Sequence, residues 1–266
     1  MTGAGTDGDR YWMPTRIVFG EGGLSRLPDA VGDSPSRVLV VSTGSMLRLG
    51  VLDRIQELLG EYRGQERTVV FSPVPPNPMP GVVDEAVALY RDSGCAVVVG
   101  IGGGSALDVA KSVAILQANR GGTRDYLTGD AKLEKPGAPF IAIPTTAGTG
   151  SEVTSWATIW DMENGRKYSL EHPSMFATTA IVDPTLTSSL SAEQTALTGM
   201  DALTQAVEAY WSRNSQPISD MYALEAVRKI SGNLRGAFLD AQSYEGERAR
   251  SAMSEGSLLS GLAFSN

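Results

Sequence analysis

Residues 95–117 read CAVVVGIGGGSALDVAKSVAILQ. The opening run, Cys95–Ile101, is apolar without interruption, rich in valine and of strand length. A strand with no polar alternation suits a parallel sheet covered by helices on both faces. From Ala106 to Gln117 the apolar residues recur instead at helical spacing. A buried strand, a glycine-rich turn and a helix therefore follow one another.

The same alternation extends outward. Upstream, RVLVVS (37–42) is a β-rich run, and Ser45–Tyr62 carries Leu47, Val51, Leu52, Ile55, Leu58 and Leu59 on one helical period. TVVF (68–71) is the next strand, and PVPPNPMPG (73–81) is a loop because proline fixes φ and lacks the amide donor. Val82–Arg91 is helical, with Val83, Ala86, Val87 and Tyr90 on one face, and PFIAI (139–143) is another buried strand. Strands alternating with helices specify an α/β, doubly wound parallel sheet with right-handed crossovers. From Trp156 to Pro184 the character changes. ATIWDMENGRKYSL (157–170) reads as a hairpin turning at Glu163-Asn164-Gly165, since Asn-Gly is the favoured turn pair. Ser191 then opens a helix as N-cap with Gln194 three residues on, a capping-box arrangement. Thr198–Arg213, Ile218–Leu234 and the stretch from Ala249 onward keep helical period. The expected division is an α/β domain over residues 1–184 and an all-helical domain over 185–266.

Composition removes several chemistries. The 266 residues carry 22 Lys+Arg against 30 Asp+Glu, a net charge of −8, so the clustered basic surface that nucleic acid requires is absent. One cysteine excludes an internal disulfide and CxxC-type zinc sites. One histidine excludes HExxH and any other pair of imidazole ligands. The start, MTGAGTDGDR, is polar and reads as a frayed end, with no apolar segment of a signal peptide, and no apolar run approaches the ~18 residues of a membrane span. A cytoplasmic protein acting on a small molecule is the expectation, with neither nucleic acid nor membrane as partner.

Two loops carry the candidate chemistry. Gly102-Gly103-Gly104-Ser105 lies between strand and helix, where free amides and the positive end of the helix dipole favour a phosphate. Asp108 and Lys111 follow one turn apart. The spacing is neither GxGxxG nor a P-loop, so a plain tight turn and a phosphate seat both stand at this point. Pro144 to Glu152 (PTTAGTGSE) follows the next buried strand and offers three Thr hydroxyls, one Ser hydroxyl and several unhindered amides. Two such loops at strand ends suit a long polar ligand bearing phosphates, such as a dinucleotide. Asp201 and Gln205 share a helix face at i and i+4, which spacing alone reads as solvated, glutamine being a poor transition-metal ligand. His172 sits in a turn and reads as structural or exposed. Cys95 reads as a small buried hydrophobe, and Trp156, Trp160 and Trp211 as packing residues. No residue is marked as catalytic.

Taken together, RIVFGEGGLSRLPD (16–29), PNP (76–78), GGGSALDVAK (102–111), PTTAGTGSEVT (144–154), IVDPTLTSSLS (181–191) and TGMDALTQAVEAYWS (198–212) resemble the iron-containing (group III) alcohol dehydrogenases. The resemblance implies a dehydroquinate-synthase-like fold with NAD(P) in the cleft between its two domains. Gly103, Gly104 and Ser105 would hold the pyrophosphate, with Asp108 on the same helix. Asn77, Thr145, Thr146, Thr149, Thr154 and Lys167 match other cofactor positions. Thr43 stands where many members have an Asp for the ribose 2′-hydroxyl, so NADP is admissible as well as NAD. SWATIWD (155–161), KYSLEHPS (167–174) and YWSRNSQPISD (210–220) resemble the branch that reduces phosphonoacetaldehyde to 2-hydroxyethylphosphonate in phosphonate metabolism. Lys167, Arg166 or Arg213 would then meet the phosphonate. The family holds Fe²⁺ or Zn²⁺ with one Asp and three His. Asp201 matches the Asp, Gln205 stands in place of the first His, and the other two belong downstream of a segment resembling SGLAFSN (260–266). The helical domain is accordingly expected to be partial. The resemblance implies hydride transfer between NAD(P)H and a small aldehyde, and it admits a homo-oligomer. The competing expectation is a non-catalytic NAD(P)-binding remnant; a lyase or cyclase on the same fold is the third.

Overall fold

The computed structural model describes residues 11–32, 36–162, 164–239 and 243–265. The expected frayed start at residues 1–10 and the turn residue Glu163 lie outside the described residues. In chain order the elements are β1 (Arg16–Phe19), α1 (Leu27–Val31), β2 (Arg37–Ser42), α2 (Gly44–Arg48), α3 (Val51–Leu59), β3 (Glu61–Tyr62), β4 (Gln65–Glu66), β5 (Thr68–Phe71) and α4 (Pro80–Asp92). They continue with β6 (Cys95–Gly102), α5 (Gly104–Leu116), α6 (Thr123–Thr128), β7 (Phe140–Pro144), β8 (Trp156–Asp161), β9 (Arg166–Glu171), β10 (Thr179–Val182), α7 (Ala192–Trp211), α8 (Pro217–Leu239) and α9 (Tyr244–Phe264).

Six strands make one parallel sheet in the order β1-β10-β7-β6-β2-β5. Its central strands are buried on both faces, as their unbroken apolar runs require. Leu39, Val41, Val98 and Ala142 pack toward α4 and α5, while Val38, Val40, Val99, Ile101 and Ile143 pack toward α1 and α3. Helix α5 lies close on β6 because Gly100 has no side chain: a Cβ there would stand 2.7 Å from that of Ala110.

Three details differ from the sequence expectation. The single helix read over 45–62 is two helices, α2 and α3, because Gly50 takes φ +68° between them and caps the second. Strands β1 and β10 complete one flank of the sheet although neither carries a readable period. Trp211, expected to pack, is 72% exposed at the solvent end of α7. The hairpin is as read: β8 and β9 pair antiparallel with Trp160 opposite Lys167, and Asn164 bonds the buried Asp161 at the turn.

By contacts the chain forms two units. The α/β unit comprises Thr15–Thr145 and Ser155–Leu186. The helical unit comprises Thr146–Thr154, Thr187–Asn266 and the N-terminal segment through Pro14. The loop 146–154 thus groups with the helices and not, as a division at residue 185 has it, with the sheet. The reason is local: a Cβ on Gly150 (φ +64°) would lie 2.5 Å from the Gly261 Cα on α9, so loop and helix backbone touch. Within this unit Ala202, Ala206, Ala226, Ile230 and Met253 form the contact of α7, α8 and α9. The buried Arg250 donates to the Thr187 and Leu190 carbonyls, and Ser191 caps α7 by accepting the Gln194 amide. Among the described residues no helix is long and apolar enough to cross a membrane.

Candidate functional site

In the α/β unit the carboxyl ends of β2 and β6 lie side by side, and from these two neighbours the chain departs in opposite directions. The segment after β2 leads to β5 at one edge, whereas β6 leads through α5 to β7 on the other side. In doubly wound sheets such a switch point opens the crevice that binds ligands. Gly102 ends β6 with φ +148°, a conformation that favours glycine, and a Cβ there would meet Thr43 at 3.1 Å and Ala106 at 2.9 Å. Gly103 follows as the extended N-cap of α5, a 13-residue helix whose first amides, those of Gly104 and Ser105 among them, have no intrahelical acceptor. On the other side of β6 the Thr145 amide donates to the Gly102 carbonyl at 2.9 Å. Thr43, Gly103, Gly104, Ser105 and Thr145 are therefore brought together, with uncharged side chains and a positive helix end. The Thr43 hydroxyl is held against that of Ser45 at 2.9 Å.

Asn77 lies in the loop after β5, exposed, with φ +53°, a left-handed conformation uncommon outside glycine. The next residue, Pro78, accepts the Trp160 amide at 2.9 Å, which ties that loop to the hairpin. Across the hairpin Lys167 is exposed and places its Nζ 5.6 Å from the centre of the Trp160 ring. Asp108, expected near the cofactor, anchors the hairpin. Its carboxylate accepts the Thr158 amide at 2.8 Å and lies 3.8 Å from the Nζ of fully buried Lys111, which donates to the Trp156 carbonyl at 2.7 Å. Both side chains fasten the hairpin to α5. The one-turn spacing of Asp108 and Lys111 was visible in the sequence; their common partner, β8, was not.

In the helical unit Thr149 is exposed and its hydroxyl accepts the Ser151 amide, while Thr154 is buried and donates to the Ser151 carbonyl. Thr146 is half-buried. Asp201 is exposed on α7. One turn along, Gln205 donates from Nε2 to the Ser260 hydroxyl at 3.2 Å, and Ser260 donates to the Ala202 carbonyl at 2.9 Å. Among the described residues no group of three or more His, Cys, Asp or Glu is placed to hold a metal. One exposed carboxylate beside a hydrogen-bonded amide does not fit a catalytic divalent ion. His172 is structural: its Nδ1 accepts the Ser174 amide and caps a short turn. Burial pushes the Cys95 thiol up to about 11, with Arg37 pulling more weakly the other way, so the residue is no nucleophile.

The chain matches the iron-containing alcohol dehydrogenase family over residues 14–184 and the C-terminal part of the Fe-containing alcohol dehydrogenase family over residues 195–266. It is 42% identical over 261 residues to the long-chain-alcohol dehydrogenase 1 of Geobacillus thermodenitrificans, covering 94% of this chain and 64% of that protein. It is 37% identical over 257 residues to the choline dehydrogenase of Bacillus subtilis, covering 96% and 63%. The chain thus spans just under two thirds of the length of these relatives. Among solved structures, the sulfoacetaldehyde reductase of Bifidobacterium kashiwanohense in complex with NAD+ superimposes with a TM-score of 0.90 at 34% identity, covering 97% of this chain and 67% of that one.

Proposed function

The chain belongs to the iron-containing alcohol dehydrogenase family, and from that premise we propose that it serves an NAD(P)-dependent alcohol dehydrogenase/aldehyde reductase. The observation that carries this reading is the junction of Thr43, Gly102 and the α5 N-terminus at the switch point of the sheet. Gly103, Gly104 and Ser105 would seat a pyrophosphate on free amides, where the helix dipole offsets its charge. The uncharged Thr43 leaves room electrostatically for a 2′-phosphate, so NADPH is accepted beside NADH. Asn77, Thr145 and Lys167 of the α/β unit would contact the rest of the cofactor. The nicotinamide supplies hydride to the carbonyl carbon of a small aldehyde, or takes it from the alcohol. The described residues do not make a site for iron or zinc.

The substrate proposed is phosphonoacetaldehyde, reduced to 2-hydroxyethylphosphonate. The positive charge that a phosphonate dianion requires would come from exposed Arg166, Lys167 or Arg213. A relative named as a sulfoacetaldehyde reductase takes an aldehyde bearing a comparable tetrahedral anion. A cytoplasmic setting and a homo-oligomer complete the proposal. The test supplies NADH or NADPH with phosphonoacetaldehyde or acetaldehyde and follows the nicotinamide absorbance. Faster turnover of phosphonoacetaldehyde, with Lys167→Met raising its KM, supports the reading. Turnover of acetaldehyde alone removes the phosphonate and leaves the reductase. Cofactor binding without turnover of any aldehyde selects the second reading, a non-catalytic dinucleotide-binding protein, which the state of Gln205 favours.

A further inference from the structure

We infer that Gln205 is a hydrogen-bonded strut between α7 and α9 and not a metal ligand. A serine hydroxyl has a single proton to give. That of Ser260, whose residue is fully buried, goes to the Ala202 carbonyl at 2.9 Å. Toward Gln205 the Ser260 oxygen therefore acts only as acceptor, which fixes the amide: its NH₂ group faces α9 at 3.2 Å and its carbonyl oxygen points the other way. An amide NH₂ has no lone pair for a metal, so the end of Gln205 held by α9 cannot ligate. The surroundings are tight on that side. A Cβ built on Gly150 would lie 3.5 Å from Gln205 Nε2 and 2.5 Å from the Gly261 Cα, next in sequence to Ser260. Only the carbonyl oxygen is left to ligate, and an amide oxygen is a hard donor ill suited to Fe²⁺ or Zn²⁺. The chain Gln205–Ser260–Ala202 runs from α7 to α9 and back, joining the two helices where the family resemblance implies a histidine on a metal.

Thermal unfolding and metal titration test this together, independently of aldehyde turnover. Gln205→Ala and Ser260→Ala should each lower Tm by about 2–4 °C. The double variant should unfold no lower than the weaker single one, because both lose the same bond. Zn²⁺ and Fe²⁺ binding, read by calorimetry without oxygen, should be absent from both wild type and Gln205→Ala, or equally weak in the two within about twofold. Gln205→Glu keeps the shape, improves the ligand and loses the donor, so it should melt lower and gain nothing from Zn²⁺. It decides the matter even if the alanine variant does not fold. The inference is overturned by a tenfold or greater loss of metal affinity in Gln205→Ala, by additive Tm losses in the double variant, or by a Zn²⁺-dependent rise in the Tm of Gln205→Glu.

Discussion

Burial pushes the Cys95 thiol up to about 11 and, next to it, the Tyr90 phenol up to about 12. Both groups are thus held in their neutral forms by the fold. For Cys95 the folded value lies above the unfolded one of ~8.5, so its contribution to stability is complete below that pH. It is lost as the unfolded chain ionises and the pH climbs through the folded value. Denaturant unfolding measured from pH 8 to 11 should therefore show falling stability for wild type and a flatter curve for Cys95→Ala; identical curves would contradict the assignment. A thiol reagent at neutral pH should label Cys95 only as fast as the protein opens. The apolar run around Cys95 already identified it as a packing residue. Nothing local in the sequence identified Asp108 as an anchor, because its partner is the backbone of a strand 50 residues away.

Helix α5 fastens the β8–β9 hairpin through Asp108 and Lys111, a pair whose removal one member at a time is costly. Asp108→Ala leaves the Thr158 amide and the buried Lys111 ammonium without that carboxylate, and should destabilise by about 3 kcal/mol. It should also raise tryptic cleavage at Arg166 and Lys167, read by limited proteolysis. Unchanged stability and cleavage would show that the hairpin is held otherwise. In the helical unit Gly261→Ala places a Cβ 2.8 Å from the Gly150 Cα, and should cost about 1–3 kcal/mol in chemical denaturation, because backbone stands in the way. At this scale the sequence was legible where a single physical demand governed several residues. Cys95–Gly102 had to be apolar on both faces, and Asn164-Gly165 had to turn. It was illegible where four residues carried too short a pattern, as in β1 and β10, or where one glycine, Gly50, divided a continuous apolar period.

For the molecule as a whole, the decisive feature is topological. The glycine turn after β6 was visible in the sequence as a phosphate seat or an ordinary turn, and neither reading prevailed. The order of the strands supports the first, because it sets Thr43 of one segment against Gly102 of another at the point where the sheet winds in two directions. Sequence periodicity specifies strands and helices but not their neighbours, so this adjacency emerges only in the fold. The central claim is that a dinucleotide rests its pyrophosphate on the α5 N-terminus. Calorimetric titration of NADH and NADPH into wild type and Gly103→Asp, which sets a carboxylate where the phosphates would lie, tests it directly. The account predicts saturable one-site binding by wild type of at least one of the two. It also predicts that the variant binds at least about tenfold more weakly, a loss of about 1.4 kcal/mol. Equal affinity in the two proteins, or no binding of either nucleotide to wild type, would contradict it.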